Sequence, residues 1–230
     1  ILGRGHSGTR IFSLICEKLE VEMGISKNNY TADVANRKFQ KSIISIALNS
    51  FASDGKFIYK KKLESKFMKA VFEYYKFLGQ PKIYWGWKFP ETYLLCPYLF
   101  KIFPLAKYIH VIRDGRDISF KKHLTDDQTK KLGEKILRAT NALNKPRHHQ
   151  AALSWAFQIN HFNFWKDKYS NLNIIDLRFE DMCLNPYKES KKLAKFIGKK
   201  FNKDIEKFLD NTINPQKNKQ YLENDKKYIQ

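Results

Sequence analysis

This sequence of 230 residues predicts an α/β fold, with a central parallel sheet flanked by helices in three layers. Three observations lead there. Short β-branched or aromatic runs alternate with longer segments of helical periodicity, the pattern of strands joined by crossover helices. A glycine-rich loop stands between the first such run and the first helical segment. The hydrophobic share, 43%, is enough for one full core, and no linker rich in Gly, Pro or Ser divides the chain, so residues 1–230 read as a single domain.

The elements follow in order. Residues 1–3 (Ile-Leu-Gly) end a buried strand, and Gly3, Gly5 and Gly8 let the backbone turn tightly and approach a ligand. Gly8 leads into the apolar run Ile11, Leu14, Ile15, Leu19, which has helical spacing. Strand, glycine loop and helix N-terminus together make an anion cradle, to which Ser7 and Thr9 add hydroxyls. The loop approaches the nucleotide-triphosphatase pattern G-x-x-x-x-G-K-[ST], so the expected fold is P-loop NTPase-like, but Thr9 replaces the lysine and Arg10 the magnesium ligand. Such a loop holds a phosphate without metal, which argues against ATP or GTP hydrolysis.

Further along, Asp33 lies in the polar stretch 26–33, ahead of a helical run, where an aspartate also reads as a helix cap. A helical pattern covers 63–78, and the strand run 83–87 delivers Lys88 at its end. Pro90 starts a helix with Glu91 in its first turn. Residues 108–112 form a buried strand that breaks into Arg113-Asp114-Gly115-Arg116-Asp117. Ligands of open α/β sheets bind at such carboxyl ends, so Arg113 and Ser119 are expected to share a crevice with the loop. The competing reading pairs Arg113 and Arg116 with Asp114 and Asp117 in a surface turn. A helix over 151–165 and a strand over 174–177 follow, and residues 214–230 form a lysine-rich tail.

Several of these segments together resemble the sulfotransferases that use 3′-phosphoadenylyl sulfate (PAPS), particularly the bacterial and protein-modifying branch. Gly5-His6-Ser7-Gly8-Thr9-Arg10 is similar to that family's 5′-phosphosulfate loop. The segment from Phe103-Pro104 through Ala106-Lys107 to Arg113-Asp114-Gly115-Arg116-Asp117 is similar to its 3′-phosphate segment. Arg178-Phe179-Glu180-Asp181, Asn185-Pro186 and Phe196-Ile197-Gly198 are similar to its late strand and helix. The resemblance implies transfer of a sulfonyl group from PAPS to a hydroxyl or amine of a carbohydrate, peptide or small molecule, with PAPS as co-substrate and no metal. It assigns Arg4, Gly5, His6, Ser7, Gly8, Thr9, Arg10, Arg113, Ser119 and Lys121 to the donor, and makes residues 214–230 a tail or a cover over the nucleotide.

The departures are specific. His6 stands where the family has Arg or Lys, so the cation on the 5′ side has to come from His6, Arg4 or Arg10. Lys121 occupies the family's usual serine position, with Ser119 two residues earlier. Lys88 matches the lysine that stabilises the leaving group, but no Lys-Thr-His follows. Glu91 and Asp33 are both candidate bases, and the sequence does not choose between them. These departures motivate a rival of another class, a catalytically inactive polyanion-binding protein on the same fold; a kinase is a weaker third idea.

The formal charge of +20 comes from 35 lysines and eight arginines spread through helices. Base readout leans on arginine in a concentrated patch, so nucleic-acid readout is not expected, whereas a polyanionic donor and an acidic acceptor suit the charge. His123, the pair His148 and His149 in a basic loop, and His161 in a helix carry no ligand spacing and are assigned no role. Cys16, Cys96 and Cys183 stand among apolar neighbours and are expected as buried thiols, which favours a reducing, cytoplasmic compartment. No apolar run is long enough to cross a membrane. The chain begins without Met inside its first strand, so its N-terminus is expected to be truncated, and the residues before Ile1 are where any signal or anchor would stand.

Overall fold

The computed structural model describes residues 1–24, 36–81, 83–169, 171–213 and 219–223. Helices dominate. The sheet consists of β1 (Lys107–Ile112) and β2 (Asn173–Arg178), paired in parallel with His110 opposite Asp176. Both strands are rich in Ile, Val and Leu, which suits a pleated surface packed on both faces.

Two of the four expected strands are reduced to single bridges. Leu2 lies parallel to His110, exchanging bonds with the Ile109 carbonyl and the Val111 amide at 2.8 Å each. Gly3 then turns the chain away after one bridge. Trp85 is bridged to Glu22 rather than built into the sheet, while the Trp87 carbonyl accepts from the amino group of Ile1. Both segments lie where strands were expected but are too short to extend the ladder.

Ten α-helices are defined among the described residues: α1 (Thr9–Lys18), α2 (Arg37–Ser50), α3 (Lys61–Phe77), α4 (Cys96–Ile102), α5 (Gly115–Ser119), α6 (Lys131–Ala139), α7 (Arg147–Lys168), α8 (Phe179–Leu184), α9 (Pro186–Ile197) and α10 (Lys203–Thr212). Helix α3 matches the expected 63–78, and α7 extends the expected 151–165 by a turn at its start. His148 and His149 therefore sit in the first turn of α7, not in a loop; Pro146 supplies an extended residue before it. The N-cap of α2 is Asn36, whose side chain accepts from the Phe39 amide at 2.8 Å.

Alternate residues of β1 enter two cores. Tyr108 packs with α2, α3 and α4 through Phe39, Phe67, Tyr98 and Phe100. Ile109 and Val111 pack with α1, α9 and α10 through Phe12, Leu193 and Leu209. Period-two alternation in one strand thus joins both halves of the interior. Cys16, Cys96 and Cys183 are buried thiols with no disulfide among them, and burial pushes the Cys16 thiol up to about 12. No helix among the described residues is long and apolar enough to cross a membrane.

Candidate active site

The loop after Leu2, Arg113 after β1 and Phe179 after β2 all emerge at the carboxyl edge of the parallel strands. The loop is clamped between neighbours that admit only glycine at two points. A Cβ on Gly5 would lie 2.2 Å from the His123 ring, and one on Gly8 2.1 Å from the Phe179 ring. Gly8 also has φ 85°, a left-handed conformation that costs other residues strain. It caps α1, which has no side-chain cap and no acidic residue in its first turn. The first-turn N–H groups and the positive helix end therefore offer an anion site over buried Ser7 and Thr9. A group with phosphate oxygens fits this cradle. Arg10 lies exposed on the same turn.

Arg4 is fully buried and otherwise engaged. Its guanidinium donates to the Gly5 carbonyl at 2.9 Å and pairs with buried Asp126, which also receives Arg147 at 2.6 Å. Burial lowers its pKa to about 10, with Asp126 opposing the shift. That is the geometry of a loop anchor. His6, at φ 71°, sets its Nε2 2.9 Å from the Lys122 carbonyl, and burial moves its pKa below the ordinary 6.5, so its ring is neutral at pH 7.

Arg113 joins the loop to α5. Its Nη1 donates to the His6 carbonyl at 3.3 Å, and its Nε and Nη2 reach Asp117 at 3.1 and 2.9 Å. Its guanidinium also lies 4.3 Å from the centre of the Phe179 ring. Both arginines therefore pair with the aspartates of Arg-Asp-Gly-Arg-Asp, as the competing reading has it, but only Arg116–Asp114 is a surface pair, at 2.6 Å, while the Arg113–Asp117 pair is buried beside the loop. Ser119 turns back onto the Arg116 carbonyl at 2.6 Å. Lys121 Nζ and Arg113 Nη2 meet one atom, Gln220 Oε1, each at 3.3 Å. The Tyr221 amide donates to Asp117 at 2.8 Å, and Arg116 stacks on the Tyr221 ring at 4.0 Å. Residues 219–223 thus lie across Arg113 and Lys121.

Lys88 and Glu91 are both buried, Lys88 just after the 83–87 run and Glu91 in the short 3-10 helix Pro90–Leu95. Glu91 Oε1 lies 3.3 Å from His123 Nε2. Pro90 opens this turn, its fixed φ being pre-organised for a helix start, and the whole turn is buried. Asp33, the other candidate base, lies outside the described residues.

Sequence reasoning missed His123. Its ring fills the space left by Gly5, and its pKa is held well below 6.5, first by burial and then by the positive charges of Arg4 and Lys88. Only the chain order Lys121-Lys122-His123, just past Arg113, hinted at its place. Asp126 was missed as well, because its partner Arg4 is 122 residues away. Apart from this edge, a groove of about 780 Å³ runs between α2 and α3, lined by Lys38, Lys41, Lys66, Lys69 and Lys76.

The Sulfotransferase family model matches residues 19–203. That span is most of the chain and includes Lys88, Glu91, Arg113 and His123; the glycine-rich loop precedes it. The chain belongs to the sulfotransferase family. No curated protein and no solved structure matches it.

Proposed function

We propose that the protein transfers a sulfonyl group from PAPS to a hydroxyl or amine of an acceptor, on a P-loop-like three-layer α/β scaffold. The observation that carries this reading is the convergence of three groups at one sheet edge. They are the anion cradle of Gly5 to Arg10, Arg113 bonded to that loop, and the buried Lys88 and Glu91.

PAPS supplies a sulfonyl group on a phosphate leaving group, so no metal and no covalent enzyme intermediate is needed. The first-turn amides of α1, with Ser7 and Thr9, bind the 5′ side, and exposed Arg10 supplies its cation. Arg4 holds the loop in place through Asp126 rather than touching the donor. Arg113 and Lys121, with Ser119 at the rim, bind the 3′-phosphate. Lys88 neutralises charge growing on the bridging oxygen as the S–O bond breaks and the acceptor oxygen or nitrogen bonds to sulfur. Glu91 takes the acceptor's proton. The α2–α3 groove carries Lys41, Lys66 and Lys69 besides Lys38 and Lys76, which pair with Glu73 on its wall at 3.4 and 3.9 Å, and its net positive lining suits an acceptor carrying negative charge.

Calorimetric titration with adenosine 3′,5′-bisphosphate, with ADP as the comparison and no magnesium, tests the donor site. Micromolar binding of the bisphosphate with clear preference over ADP is expected. Equal binding, or none, would overturn the reading.

A further inference from the structure

We propose that His123 is a positioning residue for Glu91, held by a buried chain of hydrogen bonds that starts at Gln158; the inference rests on Glu91 being the base. Each bond has a direction that chemistry fixes. Gln158 Nε2 donates to the Ser154 carbonyl at 3.2 Å, which can only accept, and so also donates to Thr125 Oγ1 at 3.1 Å. The Thr125 backbone N–H, which can only donate, points at His123 Nδ1 across 3.4 Å, and Thr125 Oγ1 stands 2.9 Å from the same atom. Nδ1 is therefore the bare nitrogen. The neutral ring carries its proton on Nε2, the nitrogen that faces Glu91 Oε1.

The surroundings hold that arrangement. Thr125, Ser154 and Gln158 are all buried, and Ser154 Oγ donates to the Thr125 carbonyl at 2.9 Å. The His123 amide donates to Asp126 Oδ1 at 2.8 Å, so the ion-paired Asp126 fixes the backbone that carries the ring. Gly5 closes the ring's other side. The charged groups around the ring are Arg4 and Lys88, which disfavour imidazolium, and the acids Glu91 and Asp126, the latter already shared by Arg4 and Arg147; His6, the other titratable neighbour, is neutral at pH 7 and adds to the same effect only when protonated. The ring thus stays neutral and turns its Nε2–H toward one carboxylate oxygen of Glu91 at 3.3 Å, as a donor held in place. A carboxylate with such a donor is favoured in its charged form and kept in one rotamer, ready for a proton from an acceptor.

Two measurements test this. Long-range ¹H–¹⁵N spectra of the uniformly labelled protein report the tautomer directly, with the His123 signals assigned by their loss in His123→Gln. A neutral ring protonated on Nε2 from pH 8 to pH 6 is expected, with its shifts moved in Glu91→Gln and its tautomers mixed in Thr125→Val. A proton on Nδ1, titration near pH 6.5, or indifference to Glu91→Gln would overturn the proposal without any assay.

The second measurement is release of adenosine 3′,5′-bisphosphate from PAPS with unsubstituted phenol as acceptor probe, whose hydroxyl keeps its proton up to about pH 10. His123→Leu should lower kcat at least tenfold with less than twofold change in KM for PAPS, and should move the acid limb of kcat to higher pH. His123→Gln, which keeps an N–H near the position of Nε2, should recover part of kcat. If Glu91→Gln lowers turnover while His123→Leu leaves kcat and its pH profile intact, the His123 inference alone fails. If Glu91→Gln leaves turnover intact, the reading of Glu91 as base fails instead.

Discussion

Arg113 and Asp117 form a buried ion pair one helical turn apart, 2.9 Å between Nη2 and Oδ2, and the pair ties the loop, α5 and residues 219–223 into one cluster. Asp117 holds one edge of the guanidinium, so the fork is already oriented before any anion arrives, and little rotamer entropy remains to be lost on binding. Arg113→Ala is expected to weaken adenosine 3′,5′-bisphosphate by about 2 kcal/mol, roughly 30-fold, through loss of a charge-assisted contact. Calorimetry measures this, and an unchanged dissociation constant would remove Arg113 from the donor site.

Gln220 presents one amide oxygen to Arg113 and Lys121 together, the two cations assigned to the 3′-phosphate. A neutral oxygen there is a weak competitor for a phosphate, but a carboxylate would be a strong one. Gln220→Glu is therefore expected to weaken bisphosphate binding about tenfold, with the effect shrinking at high salt as the new ion pair is screened. Affinity equal to the parent protein at 50 mM salt would show that residues 219–223 do not share the phosphate's partners.

These contacts show what the sequence could and could not reveal. Helices α3 and α7 and strands β1 and β2 were legible because their apolar periodicity is local. Residues 1–3 and 83–87 carry the same β-type composition yet make only single bridges, since strand extent depends on what the neighbours offer. The approach of Arg113 to the loop was legible from the rule that ligands gather at strand carboxyl ends, and the 3.3 Å bond to the His6 carbonyl follows it. The diversion of Arg4 to Asp126, and the part played by His123, were not legible. Both depend on the residues just after Lys122 folding back under the loop, which no local pattern encodes.

Gly8 combines a left-handed φ of 85° with a Cβ position 2.1 Å from Phe179. Gly8→Ala therefore adds backbone strain and a ring clash at once, and is expected to cost about 2–4 kcal/mol in urea unfolding. Phe179→Leu in the same background removes the clash but not the strain, so it should restore part of that loss. Full restoration would mean that the left-handed backbone costs nothing here, and no restoration would mean that Phe179 does not close over the loop.

His161 in α7 gives a pH dependence whose sign follows from its surroundings. Its Nε2 donates to the Leu94 carbonyl at 3.0 Å, its ring lies among Phe51, Phe57, Phe157 and Trp165, and burial lowers its pKa from 6.5 to about 4. The unfolded chain binds a proton at this side chain as pH falls through about 6.5, whereas the folded chain does not until about 4. The unfolded state therefore holds more protons across that window, and stability falls as pH falls. The full separation corresponds to about 3 kcal/mol, present above pH 6.5 and lost progressively down to pH 4. His110 and His123 shift the same way, so the wild-type slope alone does not isolate His161. Comparison with His161→Phe, which keeps the aromatic packing and removes the titration, does isolate it. Urea unfolding at pH 7.5, 5.5 and 4.5 should show the wild type losing more stability than the variant as pH falls. Parallel curves would mean that the folded and unfolded chains bind the proton at His161 equally well.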